Sequence, residues 1–395
     1  GDSSILSVTG PVALIAGIDA SITPTVLTGG IGIGFRVDLA ASTVGGNLAI
    51  TANGGIIQSG AIAVTGTTTL AAGAANDITL TNGSNDFGGA LAISSGLNVT
   101  LYDQSALVLG ASTVTGVLNA STGGAISGTG TVAADGLSLT AASGGITLDI
   151  AAANVTATAA GDISIAQTNN LAVNFTTINS TAGNISLTTN GTAAGDGMTL
   201  GTLAANAGAG SVTLAGGVEF LLTNNTTYTQ SDISAATLDL SGATLLGSIA
   251  AGYQPPYGQT YDIIDTAAAT TPFSNAASDI IFGNVRFTAA YGGNVTLTAD
   301  RPTEVYVDDL WAGSTPGQTV TSGAVTAVFG YDAFATIATS LPGVAIGGTV
   351  NVIAGLYNES VTVSQNVTIQ GIQPDADPTA MGSVAGAATL DGTGL

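Results

Sequence analysis

Along most of this chain, apolar residues alternate with Thr, Ser and Asn in bursts of four or five, and Gly, Asn or Asp ends each burst. One phrase recurs: NDITL (76–80), LNVTL (97–101), GGITL (144–148), GDISI (161–165), GNISL (183–187), GSVTL (210–214) and GGNVTL (292–297). Each is one or two turn residues, then a β-branched residue, a hydroxyl residue, and Leu or Ile. A period of two predicts strands, with one row of side chains facing a core and the next facing water. Ile78 to Val99 is 21 residues and Ile163 to Ile185 is 22, so the strands return at a period near twenty.

Short strands returning at that period predict an all-β fold, a parallel β-helix (β-solenoid) with several strands to a coil. Ile, Val, Leu and Ala should stack inside from coil to coil, with Thr, Ser and Asn outside. Asn and Asp at the corners tolerate left-handed backbone and can bond neighbouring turns, while Gly fits wherever φ is positive. An antiparallel sandwich of short strands is the alternative; it accounts for the recurring phrase less well.

Composition narrows the function. The 395 residues carry 3 Lys+Arg against 25 Asp+Glu, a net charge of −22, and only 7% are charged. The basic residues are Arg36, Arg286 and Arg301. That excludes nucleic acid as a partner, because phosphate binding rests on clustered Lys and Arg. With neither Cys nor His, the chain can form no disulfide, no His-ligated zinc site and no Ser-His-Asp or Cys-His arrangement. Oxygen-ligated Ca²⁺ is the one cofactor left open.

The mean hydropathy of +0.49 comes from scattered small residues. The longest conspicuous apolar run, PVALIAGI (11–18), is less than half a membrane span and lacks the basic flank of a signal peptide. Membrane insertion is therefore not expected. Either a leader has been removed or residue 1 lies inside a longer precursor.

GTTTLAAGAANDITLTNGSNDFGGALAISSGLNVTLYDQSALVLG (66–110) resembles the repeats of filamentous-haemagglutinin-like exoproteins and autotransporter passengers, over roughly residues 40 to 240. The resemblance implies a right-handed coil and a bacterial surface protein. PPYGQTYDIIDTAAATTPFSNAASDIIFGNVRFTAAYGGNVTLTA (255–299) is similar to the segment that closes such passengers, extending the likeness to about 40–299. There a Gly-Gln-Thr-Tyr strand, a Phe-centred turn and a final Val-x-Leu strand pair up. Tyr253, Tyr257, Tyr261, Phe273, Phe282, Phe287 and Tyr291 cluster in this part of the sequence, and are expected to cap the open edge of the last coil.

The texture changes near 300–304, and residues from about 303 to 395 are similar to the start of pectin-lyase-like β-helix domains. The likeness implies an opening strand, a short capping helix near 333–341, and then the coil GGTVNVIAGLYNESVTVSQNVTIQG (347–371). Phe334, Ile337 and Leu341 would share one helical face, and Pro342 would end the helix. The coil's alternating bursts, around Asn351, Thr362 and Thr368, read as successive strands with those three residues turned outward. The expected organisation is thus repeats over 1–246, an aromatic-rich closing segment over 247–300, a linker and opening strand over 301–330, and a second module over 331–395.

Tyr357 and Glu359 match the family's G-x-Y-x-E motif, where the Tyr packs and the Glu caps or bonds a neighbouring coil. The carry-over gives architecture, and the family's catalytic carboxylates would lie several coils later. No catalytic residue is therefore expected. Asp308 and Asp309 are the candidate metal ligands, for Ca²⁺; Asp77, Asp103, Asp149 and Asp162 sit at strand ends and read as turn residues. The Asn-x-Ser/Thr triplets at Asn98, Asn154, Asn184, Asn294 and Asn366 follow from the strand phrase itself.

The expected function is that of a secreted structural or adhesive solenoid at a bacterial cell surface, a stalk, sheath or filament component. Self-association, neighbouring surface proteins and extracellular polysaccharide are the candidate partners. The alternative is the non-catalytic part of a polysaccharide-binding or polysaccharide-degrading exoprotein.

Overall fold

A computed structural model of the protein describes residues 36–52, 54–251, 253, 255–276, 280–282 and 285–372, with backbone alone for Val12–Leu14, Thr25–Thr28 and Thr389–Leu390. The side chains of the apolar run 11–18, and of the second module beyond residue 372, lie outside the described residues. The chain divides into two compact units. One comprises Gly1–Glu219, Gln230–Leu246 and Ile264–Ser274; the other comprises Phe220–Thr229, Gly247–Ile263 and Asn275–Leu395.

The first unit is a parallel β-solenoid. Its strands stack in three ladders, each supplied with a short strand by successive coils. In the first ladder Val37, Ile56, Ile78, Val99, Leu118, Leu137, Val155 and Phe175 are register partners in turn, and all are buried. The second runs Leu107, Ile126, Ile146, Ile163, Ile185 and Val212. The third includes Leu48, Thr68 and Leu91, then Val132 and Ile150. Each inward apolar side chain touches its counterparts above and below, so the interior is filled with aliphatic atoms and each fully buried side chain contributes about 1.5–3 kcal/mol.

The period near twenty holds for most coils and then grows. Leu137 pairs with Val155, 18 residues on, and Val37 with Ile56, 19 on. Ile178 pairs with Leu203, 25 on, Leu203 with Ile233, 30 on, and Ile233 with Thr266, 33 on. Loops absorb most of the difference, and one-residue bulges at Ser94 and Thr176 shift the pairing locally, since an uncorrected slip of one residue would turn every inward side chain outward. The recurring phrase does not keep one phase, however: Ile78 and Val99 lie in the first ladder, whereas Ile146, Ile163, Ile185 and Val212 lie in the second. A turn followed by in-out-in alternation suits any corner of the coil.

Those corners are tied from coil to coil by side chains. The carboxamide oxygen of Asn47 accepts from the Thr67 amide at 2.9 Å, and that of Asn98 from Val117 at 3.2 Å. Asp77 accepts from the Asn98 amide at 3.1 Å, Asp162 from Asn184 at 2.7 Å, and Asn184 from Ser211 at 2.9 Å. The buried Gln167 goes further: its side-chain amide both accepts from and donates to the Ala152 backbone, at 3.0 and 2.9 Å, imitating one strand rung. Gly216 has φ +85°, and a Cβ there would collide with the Thr189 carbonyl one coil back, so only glycine closes that corner.

The second unit changes topology. Ile280–Phe282, Val285–Ala290 and Val295–Ala299 run antiparallel, so the last copy of the recurring phrase, GGNVTL, builds a hairpin strand and not a coil. The Gly-Gln-Thr-Tyr stretch lies beside it: the Gly258 amide donates to the Ala299 carbonyl at 2.9 Å, and Thr260 and Thr298 share a hydroxyl bond at 3.2 Å. Parallel pairing then resumes in a sheet of Ala333–Phe334, Glu304–Val307, Thr349–Ile353 and Thr368–Ile372. Val305, Val307, Val350, Val352, Ile337, Leu341, Val344 and Tyr357 fill one of its faces. Trp311, Val320, Ala327, Ala333 and Ile353 fill the other, under the hairpin Thr319–Ser322/Val325–Val328.

Three local expectations are corrected here. The helix is a single turn, Ile337–Ser340, and Phe334 belongs to the preceding strand; Ala, Thr and Ser are too weak to extend it without more packing. Asn351 faces away from Val350 as alternation requires, yet it is buried, because the hairpin side covers that face too. The middle burst, Val361 to Val363, forms no strand: Val361 packs on the core while Thr362 and Val363 are exposed.

Candidate functional site

Asp308 and Asp309, the candidate metal ligands, are adjacent in the chain but occupied separately. The buried Asp308 carboxylate caps the short turn Asp309–Trp311 by accepting from the Leu310 amide at 3.0 Å. Asp309 accepts from the Leu356 amide at 3.3 Å. Among the described residues no three carboxylates converge as a metal cage would require.

Tyr357 and Glu359 hold the second unit's coil together. The buried Tyr357 hydroxyl lies 2.8 Å from the Ile353 carbonyl and 3.0 Å from that of Val307. Burial pushes this phenol well above its ordinary range, which keeps it neutral. Glu359 accepts from the Ile337 and Ala338 amides at 2.8 and 2.7 Å, placing a carboxylate on the orphan N–H groups that open the helical turn. Thr336 caps the same turn through Thr339.

Asp77, Asp103 and Asp162 are likewise engaged, whereas Asp149 is no turn residue: it is an outward position inside the strand Ile146–Ala159. Asp77 and Asp162 are corner acceptors, as described above. Asp103 is fully buried and accepts from the Phe87 amide at 3.1 Å and the Ser105 amide at 2.8 Å. Burial pushes its carboxyl up, against the pull of those bonds. The hydroxyl bonds of Ser241 and Thr271 instead hold the half-buried Asp239 below the usual range.

In the second unit Tyr261 is buried edge-on to Tyr228 and Phe287, with ring centroids 5.3 and 6.2 Å away. Its hydroxyl bonds that of Tyr253, which donates to Asn225 at 2.6 Å. Neither hydroxyl is free for a ligand. The Arg301 guanidinium lies 3.7 Å from the centre of the Tyr257 ring and reaches Gln365 at 3.3 Å, so Tyr257 carries a cation on its face.

Sequence reasoning missed two features. One is a cavity of about 280 Å³ lined by Asp232, Ser234, Asp265 and Thr266, where the two aspartates are register partners one coil apart. The other is the outward row of the first ladder: Thr79, Thr100, Asn119, Ser138, Thr156, Thr177 and Thr202 are consecutive register partners. Beside it runs a second row, Tyr102, Ser121, Thr140, Thr158 and Asn179. Register alone reveals both, since coil length varies too much for spacing to do so.

Among the described residues no helix is long and apolar enough to cross a membrane. No curated protein and no solved structure matches the chain. Residues 31–94 and 96–160 match a family described as repeats of unknown function (DUF5649). Both copies fall in the first unit, and each takes in several coils, so that family's repeat is a block of coils.

Proposed function

We propose that this chain is a structural element of a bacterial cell surface, exported from the cell, whose stacked coils serve as a stiff scaffold with many weak contact points along its outside. The observation that carries this reading is the continuous stacking of inward residues in the first unit, from Val37 through Phe175. Each of these coils is hydrogen-bonded through its strands to the coils on either side, so local opening must break several ladders at once. The likeness of residues 40–299 to filamentous-haemagglutinin-like passengers, and of 303–395 to pectin-lyase-like openings, points the same way. Scarce charge and abundant Thr, Ser and Asn give an exterior suited to multivalent contact with neighbouring surface proteins, further copies or extracellular polysaccharide.

The reading assigns no catalytic step and needs no metal; reproducible release of reducing ends or unsaturated products from a polysaccharide would overturn that part. Electron microscopy of the purified chain tests the scaffold directly. Rods, or ordered assemblies of rods, are expected, and uniformly round monodisperse particles would contradict it.

A further inference from the structure

We infer that Asn82 is a self-modification site. Its carboxamide is placed to cyclise onto the Gly83 nitrogen and convert to aspartate and isoaspartate, whereas the fold shields Asn190, which also precedes a glycine. The inference stands on local geometry and is independent of the scaffold reading.

The reaction needs no co-reactant except water. The Gly83 nitrogen attacks Asn82 Cγ; the new N–C bond forms, the bond from Cγ to Nδ2 breaks, and ammonia leaves with the proton that the Gly83 nitrogen gives up. Water then opens the cyclic imide at either carbonyl. One opening leaves aspartate, and the other routes the main chain through the side-chain carbon as isoaspartate. A following glycine favours the attack because it has no Cβ to obstruct it. Three asparagines precede glycine, Asn53, Asn82 and Asn190, and Asn53 lies outside the described residues.

Asn82 sits in the turn between Ile78–Leu80 and Asp86–Phe87. The Ser84 amide donates to its Oδ1 at 3.0 Å, which polarises the carboxamide and stabilises the oxyanion that attack creates. The turn is clamped in place. Gln58, one coil back, accepts from the Asn82 amide at 3.2 Å and from the Asn85 carboxamide at 2.8 Å, and the Asn85 amide donates to the Asn82 carbonyl at 3.1 Å. Both reacting nitrogens are unengaged: among the described residues, neither Asn82 Nδ2 nor the Gly83 amide donates a hydrogen bond. Gly83 is exposed, with open space where a Cβ would stand.

At Asn190 both nitrogens are spent. Its Nδ2 donates to the Thr168 carbonyl one coil back at 2.9 Å, and the Gly191 amide donates to the buried Thr189 hydroxyl at 3.1 Å. Gly191 is itself buried. Both bonds must break before the ring can close, which slows conversion by roughly tenfold or more.

Conversion at Asn82 adds a negative charge close before Asp86, in a chain already at −22. Isoaspartate also lengthens the main chain inside the clamp made by Gln58 and Asn85. One corner of one coil therefore records the age of the molecule.

The test is peptide mapping by mass spectrometry of the full chain, held folded at mildly alkaline pH and sampled over time, with brief pepsin digestion in acid and electron-transfer fragmentation to identify isoaspartate. A guanidinium-unfolded sample is followed in parallel. In the folded chain Asn82 should convert, and Asn190 should lag it by roughly tenfold or more. In the unfolded chain the two should convert at similar rates, which assigns the difference to the fold. Gly83→Ala fits the open space, so it should keep the wild-type melting temperature while slowing Asn82; unchanged conversion would rule out cyclisation through that nitrogen. Thr189→Val frees the Gly191 amide and should speed Asn190 severalfold; an unchanged rate there would contradict the shielding. Equal rates at Asn82 and Asn190 in the folded chain, or an Asn82 that stays intact while the unfolded chain converts, would overturn the inference.

Discussion

The coils of the first unit and the sheet of the second use the same parallel pairing but distribute their stability differently. In the first unit each interior position is one of many equivalents: Ile146, Ile163 and Ile185 do the same thing in successive coils. In the second unit single residues have no understudy. Tyr357 sets its one hydroxyl between the Ile353 and Val307 carbonyls, Glu359 takes the two helical amides that the Thr336 cap does not reach, and Trp311 is the largest side chain of the core under the hairpin, donating to the Thr321 carbonyl at 3.3 Å. Repetition spreads stability over many small equal terms, whereas an irregular coil depends on a few particular side chains.

Phe175→Ala gives the largest expected effect. The ring is fully buried between Val155 and Leu200, and its loss should cost about 3–5 kcal/mol by denaturant melting. If the coils share load as described, limited proteolysis should open only the neighbourhood of residue 175. Cleavage throughout the first unit would show the redundancy to be illusory.

Glu359→Ala tests the contrasting region. It removes two charge-assisted bonds and should destabilise the second unit by about 1.5–3 kcal/mol, seen as faster amide exchange at Ile337 and Ala338. Unchanged exchange there would remove Glu359 from its assigned role. Tyr357→Phe keeps the packing and deletes one hydroxyl, for about 1 kcal/mol; a cost near that of Tyr357→Ala would mean the bonds, and not the ring, carry the site.

Back in the first unit, Thr68 sits in the core with its hydroxyl unpartnered. Thr68→Val should therefore stabilise by about 1 kcal/mol, read as a higher melting temperature. A loss of stability would reveal a partner for that hydroxyl.

The smallest effect is a pH dependence. Burial raises the folded-state pKa of Asp103 above the ordinary carboxylate value, so its contribution is fully present below that ordinary value and is lost as pH rises through the folded one. Wild type should therefore gain stability relative to Asp103→Asn on acidification from neutral pH toward 4. Parallel curves for the two proteins would contradict the assignment.

Much of the first unit was legible in the sequence because alternation, corner Asn and Asp, and a period near twenty are all local signals. The phase of the recurring phrase was not legible, since a turn followed by in-out-in alternation fits either ladder and even the hairpin strand Val295–Ala299. Asn351 misled because the chain that covers it, around Trp311 and Val320, lies far away in sequence. The candidate site shows the same limit. Asp308 and Asp309 stand out as paired acids, but their partners are backbone amides that only the fold supplies. The outward row needs register across coils of 18 to 25 residues, which no fixed spacing reveals.

Register is the central claim, and the absence of cysteine from the chain allows a clean test of it. Ser138 and Thr156 are outward register partners on neighbouring coils, a separation suited to a disulfide. Ser138→Cys with Thr156→Cys should cross-link rapidly and in high yield under mild oxidation of the folded protein. Ser138→Cys with Thr158→Cys, displaced by one outward position, should cross-link poorly. Equal yields from the two pairs, or none from the first, would contradict the stacked parallel coils.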